Sequence, residues 1–301
     1  MTCILGLVVR AAGERTEEAC IRIAQAQHDS DEFFVVREDS HAGAVEETLV
    51  AAARQDVDWV VALDADMLLY DRALLTMQGT LSTFDLSVGV VHFGVADKLY
   101  RMRRWGVTVY RKRVVEQGLP VLRKLRKDRN LKIERAMIKC LEKDGTGVEF
   151  LKIDVALHDF YQYYRDLYRK AYLNAVRNPG LNERALRCWK KAAPGDPDYK
   201  VILQGAIDGL QEWRQLTNSI RDFGRLQSAA VLETLHLKEK APLTETDIEK
   251  VVPCGIGADI RRSIGRNKVA PDYFERPFWS RLFYRLSSHV SRLRLSRLHS
   301  N

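Results

Sequence analysis

The chain has 301 residues, is 46% apolar and carries a formal net charge of +8, which suits one sizeable domain with an appendage or two small domains. It contains no run of about 18 apolar residues, so no membrane-crossing helix is expected, and its start lacks the basic and small-residue signals of a cleaved leader. The five cysteines (Cys3, Cys20, Cys140, Cys188 and Cys254) are odd in number and far apart, which argues against a disulfide framework or a zinc pair and fits a reducing cytoplasm.

In chain order, residues 4–10 read as an apolar strand and residues 16–27 as a helix, with Thr16 at its N-cap position. Residues 33–36 form a second strand, closed by Arg37-Glu38-Asp39-Ser40, and residues 44–54 a second helix. Trp59-Val60-Val61-Ala62-Leu63 is a third strand. A β-α-β-α-β order with nearly continuous apolar strands predicts a mostly parallel sheet covered by helices on both faces. Beyond residue 66 the pattern loosens. Strands are expected over 86–91 and 106–110, separated by the basic aromatic stretch Lys98-Leu99-Tyr100-Arg101-Met102-Arg103-Arg104-Trp105. A helix over 131–143 ends near Gly145, a strand over 148–153 runs toward His158, and a helix over 162–176 is stopped by Asn178-Pro179-Gly180. Residues 181–275 are polar and helix-rich.

The third strand runs into Asp64-Ala65-Asp66. Two carboxylates at the carboxyl edge of an open α/β sheet stand where such sheets bind ligands. They form a hard oxygen site suited to Mg²⁺ or Mn²⁺, whose shell phosphates commonly complete. The plainer alternative is an Asp-rich turn, since Asp satisfies local backbone groups after a strand.

These features fall in an order that resembles the GT-A-fold nucleotide-sugar glycosyltransferases, closest to the large family-2-like group, over residues 4–177. The resemblance implies an α/β catalytic domain over 1–180, followed by a helical extension over 181–275. It implies a metal-dependent transfer of a sugar from a nucleoside-diphosphate donor to a glycan or glycolipid acceptor, with Mn²⁺ or Mg²⁺ as cofactor. Carried over residue by residue, Asp39, with Glu38 beside it, would contact the nucleobase. Arg10 would line the same pocket. Asp64 would face ribose or a metal-bound water, and Asp66 would bind the metal, with His158 as a further ligand. Glu134 in Ile133-Glu134 stands where the family carries paired acids at a helix start, and would take the proton of the acceptor hydroxyl. Only one of the two acids is present here, and Asp128 is the fallback. Arg101, Arg103 and Arg104 would hold the diphosphate or an anionic acceptor.

From Arg276 to the end there are six arginines and no acidic residue. Phe278, Trp279, Leu282, Phe283, Leu286, Val290, Leu293 and Leu298 recur at helical spacing, so residues 276–301 read as a basic amphipathic helix that lies on an anionic membrane surface. Attachment at the cytoplasmic face, a lipid-linked acceptor and a role in cell-envelope polysaccharide assembly follow as expectations. Packing of that helix on the domain is the bland alternative. A rival from another class rests on Leu243-Thr244-Glu245-Thr246-Asp247-Ile248 through Val252-Pro253-Cys254-Gly255-Ile256-Gly257, which resembles a helix-hairpin-helix. With the basic tail it would bind nucleic-acid phosphate, although Gly-x-Gly between helices is also a common helix end. A haloacid-dehalogenase-type phosphatase fits less well, because its Asp-x-Asp sits on the first strand.

Overall fold

The computed structural model describes residues 3–28, 32–38, 40–125, 133–177, 183–212 and 228–251. Those up to Tyr163, together with Ala241 onward, form one compact unit, and Tyr164–Lys240 supply a second.

The first unit is built on a seven-stranded sheet. Its strands are β1 (Leu5–Ala11), β2 (Phe33–Arg37), β3 (Trp59–Asp64), β4 (Met67–Leu69), β5 (Val88–Asp97), β6 (Met102–Arg111) and β7 (Gly147–His158), in the order β2-β1-β3-β6-β5-β7-β4. Strands β1, β2 and β3 pair in parallel, β6 runs antiparallel to both β3 and β5, β7 lies parallel to β5, and β4 closes the edge antiparallel to β7. Five strands therefore share one direction and only β6 and β4 oppose it, as the mostly parallel α/β reading predicts.

Helices cover both faces. On one, α1 (Glu17–Gln27), α3 (Ala73–Leu81) and α10 (Glu245–Val251) pack on Leu7, Val9, Leu63, Phe93 and Leu157. On the other, α2 (His41–Arg54), α4 (Lys112–Leu125) and α5 (Ile133–Lys143) pack on Val8, Val60, Val90 and Tyr110. Strands enclosed in this way read as continuous apolar runs, because neither side faces water. Thr16 does stand at the α1 N-cap but makes no capping bond; its hydroxyl donates instead to the Ala65 carbonyl at 2.8 Å. The α5 C-terminus ends as expected at Gly145, whose φ of +93° is left-handed, and the Thr146 N–H returns to the Leu141 carbonyl at 3.0 Å.

Helix α10 returns to the sheet unit from beyond the helical segment. Ile248 is buried in the core, Glu245 is paired with Arg22, and Thr244 and Asp247 cap the helix reciprocally. The second unit comprises α6 (Tyr164–Arg177), α7 (Glu183–Ala192), α8 (Pro197–Glu212) and α9 (Ser228–Thr234). Helices α6 and α8 approach closely because a Cβ at Gly205 or Gly209 would meet the Tyr168 or Tyr172 carbonyl oxygen at 2.5 Å. The Tyr168 hydroxyl bonds Asp208 across this seam at 2.7 Å. Residues 276–301 and Gly255-Ile256-Gly257 lie outside the described residues.

Candidate active site

The register of the parallel strands sets Arg10 opposite Asp64 at the carboxyl edge. The Ala65 N–H donates to the Arg10 carbonyl at 2.8 Å. Below it the Ala65 carbonyl accepts from Thr16, whose oxygen in turn accepts from Gln162 at 2.6 Å. The Asp64-Ala65-Asp66 turn is thus braced from both strand and helix, and β4 leaves it to pair with β7, placing Met67 opposite His158. Two groups of side chains result.

The first group is a buried charge network. Arg10, 6% exposed, donates from Nε to Asp64 at 2.6 Å and from a terminal guanidinium nitrogen to Glu134 Oε1 at 2.9 Å. Glu134 Oε1 also accepts the Tyr110 hydroxyl at 2.6 Å. Burial opposes the charge on Arg10, and Asp64 and Glu134 more than offset it, so its pKa is raised. Burial likewise pushes Glu134 up, but the Arg10 charge, the Tyr110 hydroxyl and His41 prevail and hold its carboxyl at about 2. The sequence-predicted Arg10, Asp64 and Glu134 are therefore brought together, one through the other.

The second group is a cluster of side chains whose donor atoms could hold a cation. Asp66, His158 and Asp159 each direct one ligand atom to within 4.8 Å of the others. His158 Nε2 stands 3.6 Å from Asp66 Oδ1, while Nδ1 bonds Asp97 Oδ2 at 2.8 Å. The chain turns left-handed at Asp159 (φ 64°) directly after the strand, and its N–H donates to the Asp66 carbonyl at 3.1 Å. Asp tolerates that conformation better than most residues, and such strain concentrates at functional sites. Burial would lower the His158 pKa, yet the charges of Asp159 and Asp66 and the bond to Asp97 raise it well above the ordinary value. Two carboxylates and an imidazole also form an acceptable donor set for Mn²⁺, so the residues present fit the expected metal.

Asp159 and Asp97 escaped the sequence reading. Asp159 adjoins His158, and Asp97 ends the apolar run 88–96, as Asp64 ends its own strand. Of the remaining expected residues, Glu38 is exposed just past β2 at the same edge, near Ser40 and Gly43 at the start of α2; Asp39 and Asp128 lie outside the described residues. Among the basic residues, Arg103 is engaged by both oxygens of Asp154, at 2.5 and 2.9 Å. Arg104 lies 4.3 Å over the Tyr100 ring and 3.9 Å from Asp97. Trp105 meets Phe150 edge-on, and Phe150 stacks on His92 at 4.7 Å while remaining 53% exposed.

No family model and no curated protein matches the chain. Solved structures with a similar arrangement include a glycosyltransferase involved in the glycosylation of the major capsid of PBCV-1 (TM-score 0.39, 11% identity, 52% of this chain and 93% of that one). Another is 4-diphosphocytidyl-2C-methyl-D-erythritol synthase from Anaerococcus prevotii DSM 20548 (TM-score 0.37, 10% identity, 53% and 91%). A third is glucosyl-3-phosphoglycerate synthase from Mycobacterium tuberculosis in complex with Mn²⁺, uridine diphosphate and phosphoglyceric acid (TM-score 0.34, 14% identity, 52% and 70%).

Proposed function

We propose that the chain is a metal-dependent glycosyltransferase that moves a sugar from a nucleoside-diphosphate donor to a glycan or glycolipid acceptor. The observation that carries the reading is the convergence of Asp66, His158 and Asp159 at the carboxyl edge of the sheet, beside Asp64 held by Arg10. Asp66, His158 and Asp159 would hold Mn²⁺ or Mg²⁺, which when bound supplies positive charge against the negative charge that develops on the departing diphosphate. Arg10, Glu38 and Asp64 would line the nucleotide side, and Asp39 keeps the nucleobase role proposed for it from the sequence. Asp64, partly exposed and fixed by a buried guanidinium, is preorganised to accept from a ribose hydroxyl or a water.

Glu134 takes a different part in this account from the one its place in the sequence implies. A general base works best with a pKa near the working pH, and a carboxyl held at about 2 by Arg10 and Tyr110 is a weak one. We assign Glu134 to holding Arg10 in place against Asp64. The exposed Phe150, stacked on His92 and met edge-on by Trp105, supports an aromatic platform for the acceptor, since aromatic rings stack on the apolar faces of sugars. We keep the division of labour drawn from the sequence: catalysis in 1–180, a helical extension in 181–275, and residues 276–301 as a basic helix resting on an anionic membrane at its cytoplasmic side. Cell-envelope polysaccharide assembly is the setting that these assignments suit.

The test is release of nucleoside diphosphate from a panel of UDP-, GDP- and CDP-sugars, each with Mn²⁺ and with chelator. One base is expected to support release, with chelator abolishing it. No release from any sugar, together with steeply salt-dependent binding to duplex DNA, would instead favour the nucleic-acid reading.

A further inference from the structure

We infer that Asp97 is the positioning residue that fixes His158 for metal binding, by holding the imidazole hydrogen on Nδ1 and leaving the Nε2 lone pair to the cation. The inference rests on the metal reading proposed above. Asp97 is 1% exposed, and both of its oxygens are used. Oδ1 accepts the Tyr100 N–H at 2.8 Å, closing the turn between β5 and β6, and Oδ2 faces His158 Nδ1 at 2.8 Å. An ionised carboxylate only accepts, so the nitrogen it faces must be the one that carries hydrogen. Nδ1 also lies 3.6 Å from Asp159 Oδ2, while the other nitrogen, Nε2, looks toward Asp66 Oδ1 at 3.6 Å and is the one whose hydrogen a cation would replace. The two residues are brought together by backbone register, since Asp97 and His158 are paired across β5 and β7 and the Lys98 N–H donates to the His158 carbonyl at 3.0 Å. A carboxylate behind a ligating imidazole sets its tautomer and orientation and raises its basicity.

The plain alternative is that Asp97 serves only the turn. Asp97→Asn separates the two roles. The Asn carbonyl oxygen accepts from Tyr100 as before, so the turn is kept. Its NH₂ then faces Nδ1, which must accept, and the imidazole hydrogen moves to Nε2, in the place of the cation. Asp97→Asn is expected to melt close to wild type but to bind Mn²⁺ 10–100-fold more weakly by calorimetry, the usual cost of losing such a partner. The imidazole nitrogen coupling in the pulsed EPR spectrum of bound Mn²⁺ should be present in wild type and lost in both His158→Ala and Asp97→Asn. A second measurement needs no variant: in the Zn²⁺-loaded wild type, two-bond ¹H–¹⁵N correlations should place the ring hydrogen of His158 on Nδ1. Wild-type binding and coupling retained in Asp97→Asn, or a ring hydrogen found on Nε2, would overturn this inference alone. Failure of the wild type to bind Mn²⁺ would overturn the metal reading and this inference with it.

Discussion

Arg10→Met is expected to lower the stability of the protein by about 3–5 kcal/mol, the usual cost of stripping the partner from buried charges, and its melting point by about 10 °C. The guanidinium is 6% exposed and stands between Asp64 and Glu134. Its removal leaves Glu134, itself 18% exposed, with the Tyr110 hydroxyl as a hydrogen-bond donor and His41 as the remaining favourable charge among the described residues. Adding Glu134→Gln should recover part of the loss, because the second change removes the stranded charge, and the non-additivity measures the coupling. The pH dependence has a definite sign. The Glu134 carboxyl is at about 2 in the folded chain against an ordinary 4.5. Its contribution is therefore fully present above about pH 4.5 and lost as the pH falls toward 2, a difference of about 3 kcal/mol. Urea midpoints for wild type should drop between pH 5 and pH 3 by more than those of the double variant. Equal midpoints for Arg10→Met and wild type at neutral pH would contradict the network's structural role.

Asp66→Ala has the largest expected effect on activity. It removes one of the three side chains proposed to hold the cation, the one that belongs to the braced turn after β3. With the leaving diphosphate no longer neutralised, kcat/KM should fall by about 10³ or more, equivalent to about 4 kcal/mol of transition-state stabilisation. The fold should survive, because the backbone bonds of the turn, from Ala65 N–H to Arg10 and from Asp159 N–H to Asp66, do not involve the lost carboxylate. Added Mn²⁺ at millimolar concentration should restore some rate if His158 and Asp159 still hold it weakly. Activity within tenfold of wild type in Asp66→Ala would remove the metal from the account.

The first half of the fold was legible in the sequence because buried parallel strands are short apolar runs between amphipathic helices, as Leu7-Val8-Val9 and Val60-Val61-Ala62 illustrate. The second half obscured itself for identifiable reasons. Helix α4 carries Pro120 within it, which removes a backbone donor and argues locally against a helix. Strand β4 has three residues, too few to show an alternation. Strand β6 begins in the basic stretch at Met102, where Arg103 is exposed and Arg104 and Trp105 are half-buried, so no apolar run marks its start. The return of α10 to the core could not be read from local pattern, because it depends on a contact between Arg22 and Glu245 across more than 200 residues.

The candidate site divides similarly. Asp64, Asp66 and His158 were marked by position at strand ends, a signal that survives in a single sequence. Asp97 and Asp159 carry the same mark, but their meaning came only from pairing β5 with β7 and turning the chain left-handed after His158. Glu134 was marked as the base by its place at a helix start, yet its carboxylate is bonded by Arg10, 124 residues away. Sequence spacing locates an acid; the neighbours supplied by the fold decide what that acid does.

The most direct measurement is calorimetric binding of UDP, GDP and CDP to the wild-type protein, each with Mn²⁺ and with chelator, repeated on Asp66→Ala. The account predicts that one nucleotide binds with Mn²⁺, that chelator removes the binding, and that Asp66→Ala fails to bind under either condition. Binding of none of the three, or binding that persists in chelator and in Asp66→Ala, would contradict it.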